Sequence, residues 1–229
     1  MYNSSLLSLL QLSDPMLPIG GYAHSAGLET YVQQKLVYNS DTARRFITQM
    51  LERNIQYTDA ALVSLSWDAA AAGNYPALQQ LDDTCTAVKI PREIREASRK
   101  LGTRLIKILQ PLCNSAAGAF YREAIASQSA TGHYCIAFGL YAQALQVPKA
   151  DALSGFYYNA AAGMVTNCVK LVPLGQQEGQ ELLFSLHSLI QQLVQNTLQP
   201  DEELLGLCCA GFDIRCMQHE QLYSRLYMS

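Results

Sequence analysis

The sequence predicts an all-α protein: one compact helical domain over residues 1–210 followed by a C-terminal tail over 211–229. Two observations predict the fold class. Apolar residues recur three or four apart through most of the chain, the spacing that puts them on one helix face. No segment sustains the period-two alternation, bounded by hairpin turns, that a strand needs. A third observation predicts a single domain, because the breaks are short and no long Gly/Ser or charged linker divides the 229 residues.

Taken in chain order, residues 11–29 read QLSDPMLPIGGYAHSAGLE and resist a helical description. Pro15 and Pro18 restrict the backbone, and Gly20-Gly21 permit a turn with positive φ. The segment reads as a defined loop presenting Tyr22 and His24 at the start of a helix. A stripe through Phe46, Met50, Ile55, Leu62 and Leu65 follows, with its register slipping near Asn54. Asp41 reads as its N-cap and Gly73-Asn74 as its stop. Pro91 to Leu109 carries Ile94, Ala97, Leu101, Leu105 and Ile108 on one face, with Pro91 in the first turn, where a missing N–H costs nothing. Between Glu181 and Val194 the residues Leu182, Leu186, Leu189 and Leu193 repeat the pattern. Breaks are expected at 73–74, 90–91, 129–132, 147–148, 173–175 and 199–200. The end, DIRCMQHEQLYSRLYMS, concentrates His219, Glu220, Tyr223, Arg225 and Tyr227 where termini usually fray. Tyr and Arg are the side chains that anchor interfaces.

Composition narrows the function. Charged residues are 15% of the chain against about 25% in an average soluble protein, apolar residues are 49%, and the formal net charge is −3. That balance lacks the basic surface of a nucleic-acid binder and the polybasic patch of a lipid binder. It is also too apolar for intrinsic disorder. The first basic residue is Lys35, so a secretory n-region is missing, and no apolar run approaches 18 residues. The seven cysteines include no C-x-x-C pair. They read as reduced, mostly buried small hydrophobes of a cytoplasmic protein.

Catalytic motifs fare poorly. Neither phosphate-loop spelling occurs, and Gly20-Gly21 lacks a following Lys. A hydrolase built from Ser25, His24 and Asp14 would need adjacent residues to aim at one another, and no nucleophile elbow is present. Cys216 and His219, three apart, would share a helix face and could ligate a soft cation with His24 or His133, against the plainer reading of packed histidines. Asp82-Asp83 and Glu202-Glu203 read as solvated helix faces or first-turn charges. The basic run from Lys89 to Lys107, interleaved with Glu93 and Glu96, reads as a set of i,i+4 pairs. Nothing in the spacing selects Arg104 or Arg225 as an arginine finger.

Five segments, LLQLSDPMLPIGGYAHSAGLE (9–29), REIREASRKLG (92–102), GHYCIAFGLYAQAL (132–145), NCVKLVPLGQQEGQ (167–180) and MQHEQLYSRLYMS (217–229), together resemble the UreF family of urease accessory proteins. They stand in the family's order and span nearly the whole chain; Gly21-Tyr22 stands where many members carry Ala-Phe or a similar pair. The resemblance implies a non-enzymatic, cofactor-free homodimeric scaffold. It would join a UreD/UreH-type accessory protein and a UreG-type GTPase for nickel insertion into apo-urease, influencing the GTPase cycle or metal delivery, without nucleic acid or membrane. It also implies partner-binding roles for Tyr22, His24, Glu29, His219, Glu220, Tyr223, Ser224, Arg225 and Leu226. Loop-structuring roles fall to Asp14, Pro18, Gly20 and Gly27, and no metal ligands are implied. Arg225 is expected to pair with an acid or carbonyl beside the Tyr22/His24 loop or across an interface, where a planar guanidinium outperforms Lys. The competing reading is a direct nickel carrier using Cys216, His219 and His24.

Overall fold

In a computed structural model, which describes residues 4–14, 16–21, 24–207 and 209–228, every regular element is a helix. Pro15, Tyr22 and Cys208 lie outside the described residues. The protein is all-α. The elements are α1 (Ser4–Leu12), α2 (Leu28–Gln33), α3 (Ser40–Gln49), α4 (Asp59–Ala71), α5 (Tyr75–Val88) and α6 (Arg92–Leu109). They continue with α7 (Ala116–Ala126), α8 (Tyr134–Ala144), α9 (Lys149–Leu171), α10 (Gln176–Ser185), α11 (His187–Thr197) and α12 (Ala210–His219).

Helix α8 forms the axis of the molecule. Its sequence is apolar on every side, and every residue from 135 to 142 is buried. A helix with no polar face has to be covered all round, and α4, α5, α6, α7 and α9 supply the cover. The closest approach is to α4. A Cβ at Gly139 would overlap Ser66 Oγ and the Val63 carbonyl oxygen, so only glycine allows this crossing. Each large apolar side chain removed from water here, such as Phe138 or Leu140, contributes about 1.5–3 kcal/mol.

Each expected break falls between helices. The register slip near Asn54 has a physical cause: α3 runs into a π-helical stretch, Met50–Asn54, and a 3-10 turn, Ile55–Tyr57, before α4 begins. The wider π turn shifts the stripe, so Phe46 and Leu62 are both buried although they fit no single α-helical register. Asp41 does not cap α3. Asn39 does, accepting from the Thr42 N–H at 3.0 Å, while Thr42 Oγ1 accepts from the Asn39 N–H in return. Pro91 is the N-cap of α6 rather than its first-turn residue. The stripe from Leu182 to Leu193 divides at Leu186 into α10 and α11.

Asp82 corrects the reading of solvated acidic faces. It is wholly buried, and its carboxylate accepts from the backbone N–H groups of Thr131 (2.5 Å), Gly132 (3.2 Å) and His133 (2.9 Å) and from the Tyr121 hydroxyl (2.5 Å). A carboxylate there serves the turn entering α8 and sits at the positive end of that helix. Asp83, Glu202 and Glu203 are exposed as expected. His133 is also buried, with Nε2 at 2.9 Å from Thr86 Oγ1 and Nδ1 at 3.1 Å from Ser98 Oγ.

Candidate functional site

The first loop and the chain end, the two segments that resisted a simple helical reading, meet in space. Gly20 (φ +87°) and Gly27 (φ +74°) both take the left-handed conformation that glycine tolerates. A Cβ at Gly20 would overlap the Arg104 guanidinium, which donates to the Ile19 carbonyl at 2.9 Å. A Cβ at Gly27 would stand 2.8 Å from Cys216 Sγ, so Gly27 lets α12 lie directly on the start of α2. Asp14 closes its own turn by accepting from the Met16 N–H at 2.8 Å, and Pro18 is exposed. Tyr22 lies outside the described residues.

Docking of α12 on α2 buries Glu29 and His219 together. His219 is 0% exposed, with Nε2 3.0 Å from Glu29 Oε2 and Nδ1 2.8 Å from Glu93 Oε2. Each ring nitrogen of His219 thus faces a carboxylate oxygen at hydrogen-bond distance. Arg225 Nη1 donates to Glu93 Oε1 at 2.6 Å. Glu29 also accepts the backbone N–H groups of Leu226 (2.8 Å) and Tyr227 (3.0 Å). Two carboxyl groups, Glu29 and Glu93, thus converge on the His219 ring and the Arg225 guanidinium. Burial pushes the Glu29 carboxyl upward, but the His219 hydrogen bond and the two backbone N–H donors outweigh it and hold the group below its ordinary value.

Flanking contacts extend the clasp. Glu220 pairs with Arg92 at 3.1 Å. Thr30 Oγ1 donates to the Arg215 carbonyl, Gln34 Nε2 donates to Gln218 Oε1, and the Arg215 guanidinium lies 4.9 Å over the Tyr31 ring. Residues 220–228 are thereby fixed with Tyr227 buried, and with Tyr223, Ser224, Leu226 and Met228 turned outward. Leu226 is 68% exposed and Tyr223 is fully exposed. Ile214 and Met217, on α12, are also exposed and apolar.

Sequence reasoning missed Glu93, the carboxylate that joins His219 to Arg225. The local spacing places it in i,i+4 pairs on α6, yet its side chain reaches the tail, while Arg95 donates to the carbonyls of Lys89 and Ile90. The available signal was an acid in the first turn of the helix that follows Pro91.

Beside the clasp, a cleft of about 360 Å³ opens between the first loop, α6 and α9. Its lining includes Leu17, Ile19, Leu101, Phe156 and Met164 together with the Asp59–Lys89 ion pair at 2.7 Å. His24 lines it, and its carbonyl accepts from Asn167 Nδ2 at 3.0 Å. Burial, assisted by Lys100 and Arg104, lowers the His24 imidazole below its ordinary pKa. Among the described residues, no group of three or more His, Cys, Asp or Glu side chains is disposed to hold a metal ion. The carrier trio is engaged elsewhere: both His219 nitrogens face carboxylates, and Cys216 is buried against Gly27, its thiol pushed up by desolvation and by the nearby Asp213 and Glu93. No helix among the described residues is long and apolar enough to cross a membrane.

The family model for UreF matches residues 37–187. The chain is 47% identical over 226 residues to the urease accessory protein UreF of Haemophilus influenzae, covering 99% of this chain and 96% of that protein. It is 48% identical over 222 residues to the protein of the same name from Actinobacillus pleuropneumoniae serotype 5b, with 97% and 98% covered. It is 32% identical over 224 residues to that of a Bacillus species, with 98% and 99% covered. With a family model covering well over half of it and such relatives aligned along nearly all of it, the chain belongs to the UreF family of urease accessory proteins.

Proposed function

We propose that this protein is a non-catalytic scaffold of urease maturation, joining a UreD/UreH-type accessory protein and a UreG-type GTPase for nickel insertion into apo-urease in the cytoplasm. One observation carries the reading. A terminal segment is held by a partly buried clasp of Glu29, Glu93, His219 and Arg225, yet it turns Tyr223, Leu226 and Met228 to solvent. Ordering those side chains in advance lowers the entropy cost of docking, which is the usual gain from preorganisation. Apolar and aromatic groups left outside such a support are suited to act as interface anchors.

In this reading the nine partner residues divide by task. Tyr223, Ser224 and Leu226 touch the partner, and Glu29, His219, Glu220 and Arg225 hold the surface that does so. Tyr22 and His24 contribute from the adjoining loop, and Asp14, Pro18, Gly20 and Gly27 shape it. A homodimer would use a second face, because Leu6, Leu7 and Leu10 on the outer side of α1 are each more than half exposed.

Co-purification tests the proposal. The full chain should capture UreD- and UreG-type partners in a defined stoichiometry, and a chain lacking 217–229 should lose them while its helix content is nearly unchanged. Undiminished capture by the truncated chain would refute the role given to the tail. Stoichiometric nickel binding by the chain alone, abolished in His219→Ala, would favour the carrier reading instead.

A further inference from the structure

We propose that Cys85 and Cys135 form a redox-active dithiol, which a small peroxide converts into an intramolecular disulfide tying α5 to the central helix α8. The two Sγ atoms lie 3.5 Å apart in the core, and both residues are wholly buried. A bonded pair stands about 2.05 Å apart, so a displacement of roughly 0.7 Å by each sulfur closes the gap.

The surroundings distinguish this pair from Cys113, Cys168 and Cys216. Desolvation pushes the thiols of Cys113, Cys168 and Cys216 upward, and Cys216 also faces acids. Around Cys85, burial likewise opposes ionisation, but the hydrogen bond from Cys135, the Lys89 ammonium and the His133 ring outweigh it and draw the thiol down. Cys135 is pushed up, by burial and by its partner. With the Lys89 ammonium one turn beyond it, Cys85 is taken as the thiol that ionises and attacks first, since the thiolate is the nucleophile.

Lys89, the C-cap residue of α5, stands one turn beyond Cys85, Tyr134 immediately precedes Cys135, and both Lys89 and Tyr134 line the cleft beneath the first loop. Neither cysteine lines that cleft, so in this proposal peroxide reaches the sulfurs when the Lys89 end of α5 opens locally.

The chemistry balances with peroxide as the oxidant. The Cys85 thiolate attacks one peroxide oxygen, the O–O bond breaks, and a sulfenic acid forms as hydroxide leaves. The Cys135 thiolate then attacks the Cys85 sulfur, the S–S bond forms and the S–O bond breaks, releasing a second hydroxide. The two protons given up by the thiols convert both hydroxides to water. Two sulfurs lose two electrons, and one peroxide becomes two waters.

The test uses the full chain carrying Cys113→Ser, Cys208→Ser and Cys209→Ser, alongside the unaltered protein. Each is treated briefly with hydrogen peroxide, alkylated and mapped by mass spectrometry without reductant. The expected result is a Cys85–Cys135 cross-linked peptide, two hydrogens lighter than the reduced pair, in most chains. Reductant should reverse it, and the unfolding midpoint should rise by several degrees in the oxidised form. In Cys135→Ser a dimedone label should appear on Cys85, whereas Cys85→Ser should leave Cys135 unlabelled. Both thiols emerging reduced and alkylated on unfolding, after peroxide has oxidised Cys113 or Cys209 in the unaltered chain, would overturn the proposal. So would Cys85 joined to any other cysteine, or a label on Cys135 in place of Cys85. Should a serine variant fail to fold, the map of the unaltered protein decides the question.

Discussion

Two buried carboxylates in this protein do similar chemistry with opposite consequences. Asp82 accepts three backbone N–H groups and a tyrosine hydroxyl at the entrance to α8, and every partner belongs to the body of the bundle. Glu29 accepts two backbone N–H groups and a histidine, and all three partners lie within the last eleven residues. The first carboxylate fixes how the core begins. The second decides whether a terminal segment is attached. Hydrogen-bond number does not separate the two sites; what separates them is whether the partners have anything else to hold them.

The largest effect should come from Asp82→Ala. It strands three backbone donors and the Tyr121 hydroxyl away from water, at about 1–3 kcal/mol per unsatisfied group. The expected loss is about 4 kcal/mol of global stability, read as a lower denaturant midpoint with an unchanged slope. Next comes His219→Ala, which leaves Glu29 and Glu93 without the ring that bridges them. The tail should come loose, with proteolytic cleavage within 220–228 accelerated about tenfold, corresponding to about 1.4 kcal/mol of lost docking, while the thermal midpoint of the body moves little. Equal destabilisation by these two substitutions would break the comparison.

Acid should sharpen it. The Glu29 carboxyl is held below its ordinary value, so its contribution is fully present above pH 4.5 and is lost as pH falls through the lower folded value. Cleavage of the tail at mildly acidic pH should therefore match that at neutrality, and should rise only below about 4.5. The smallest effect belongs to Arg92→Ala. Its ion pair with Glu220 is two-thirds exposed on the arginine side, and its removal should cost no more than about 0.5 kcal/mol.

Helix positions were legible because they rest on local spacing. The stripe from Ile94 to Ile108 and the turns around Gly73, Pro148 and Pro173 needed no knowledge of the rest of the chain. The first loop and the tail were legible as exceptions, since Pro15, Pro18 and Gly20-Gly21 forbid a regular helix and Tyr and Arg crowd the end. Their junction was not. Glu29 and His219 are 190 residues apart, and nothing local in a glutamate or a histidine names its partner. Asp82 misled for a related reason: an acid on an amphipathic helix looks solvated until the turn at 131–133 folds over it. Asn39 and Asp41 are both acceptable caps, and only the reciprocal bond to Thr42 selects Asn39.

The central claim is that the Glu29 carboxylate fixes the chain end. Amide hydrogen exchange at Leu226 and Tyr227 tests it most directly. Both amides should be protected in the unaltered chain and should exchange at open-chain rates in Glu29→Gln, with protection along α8 unchanged. Fast exchange of both amides in the unaltered chain, or equal protection in Glu29→Gln, would contradict the account.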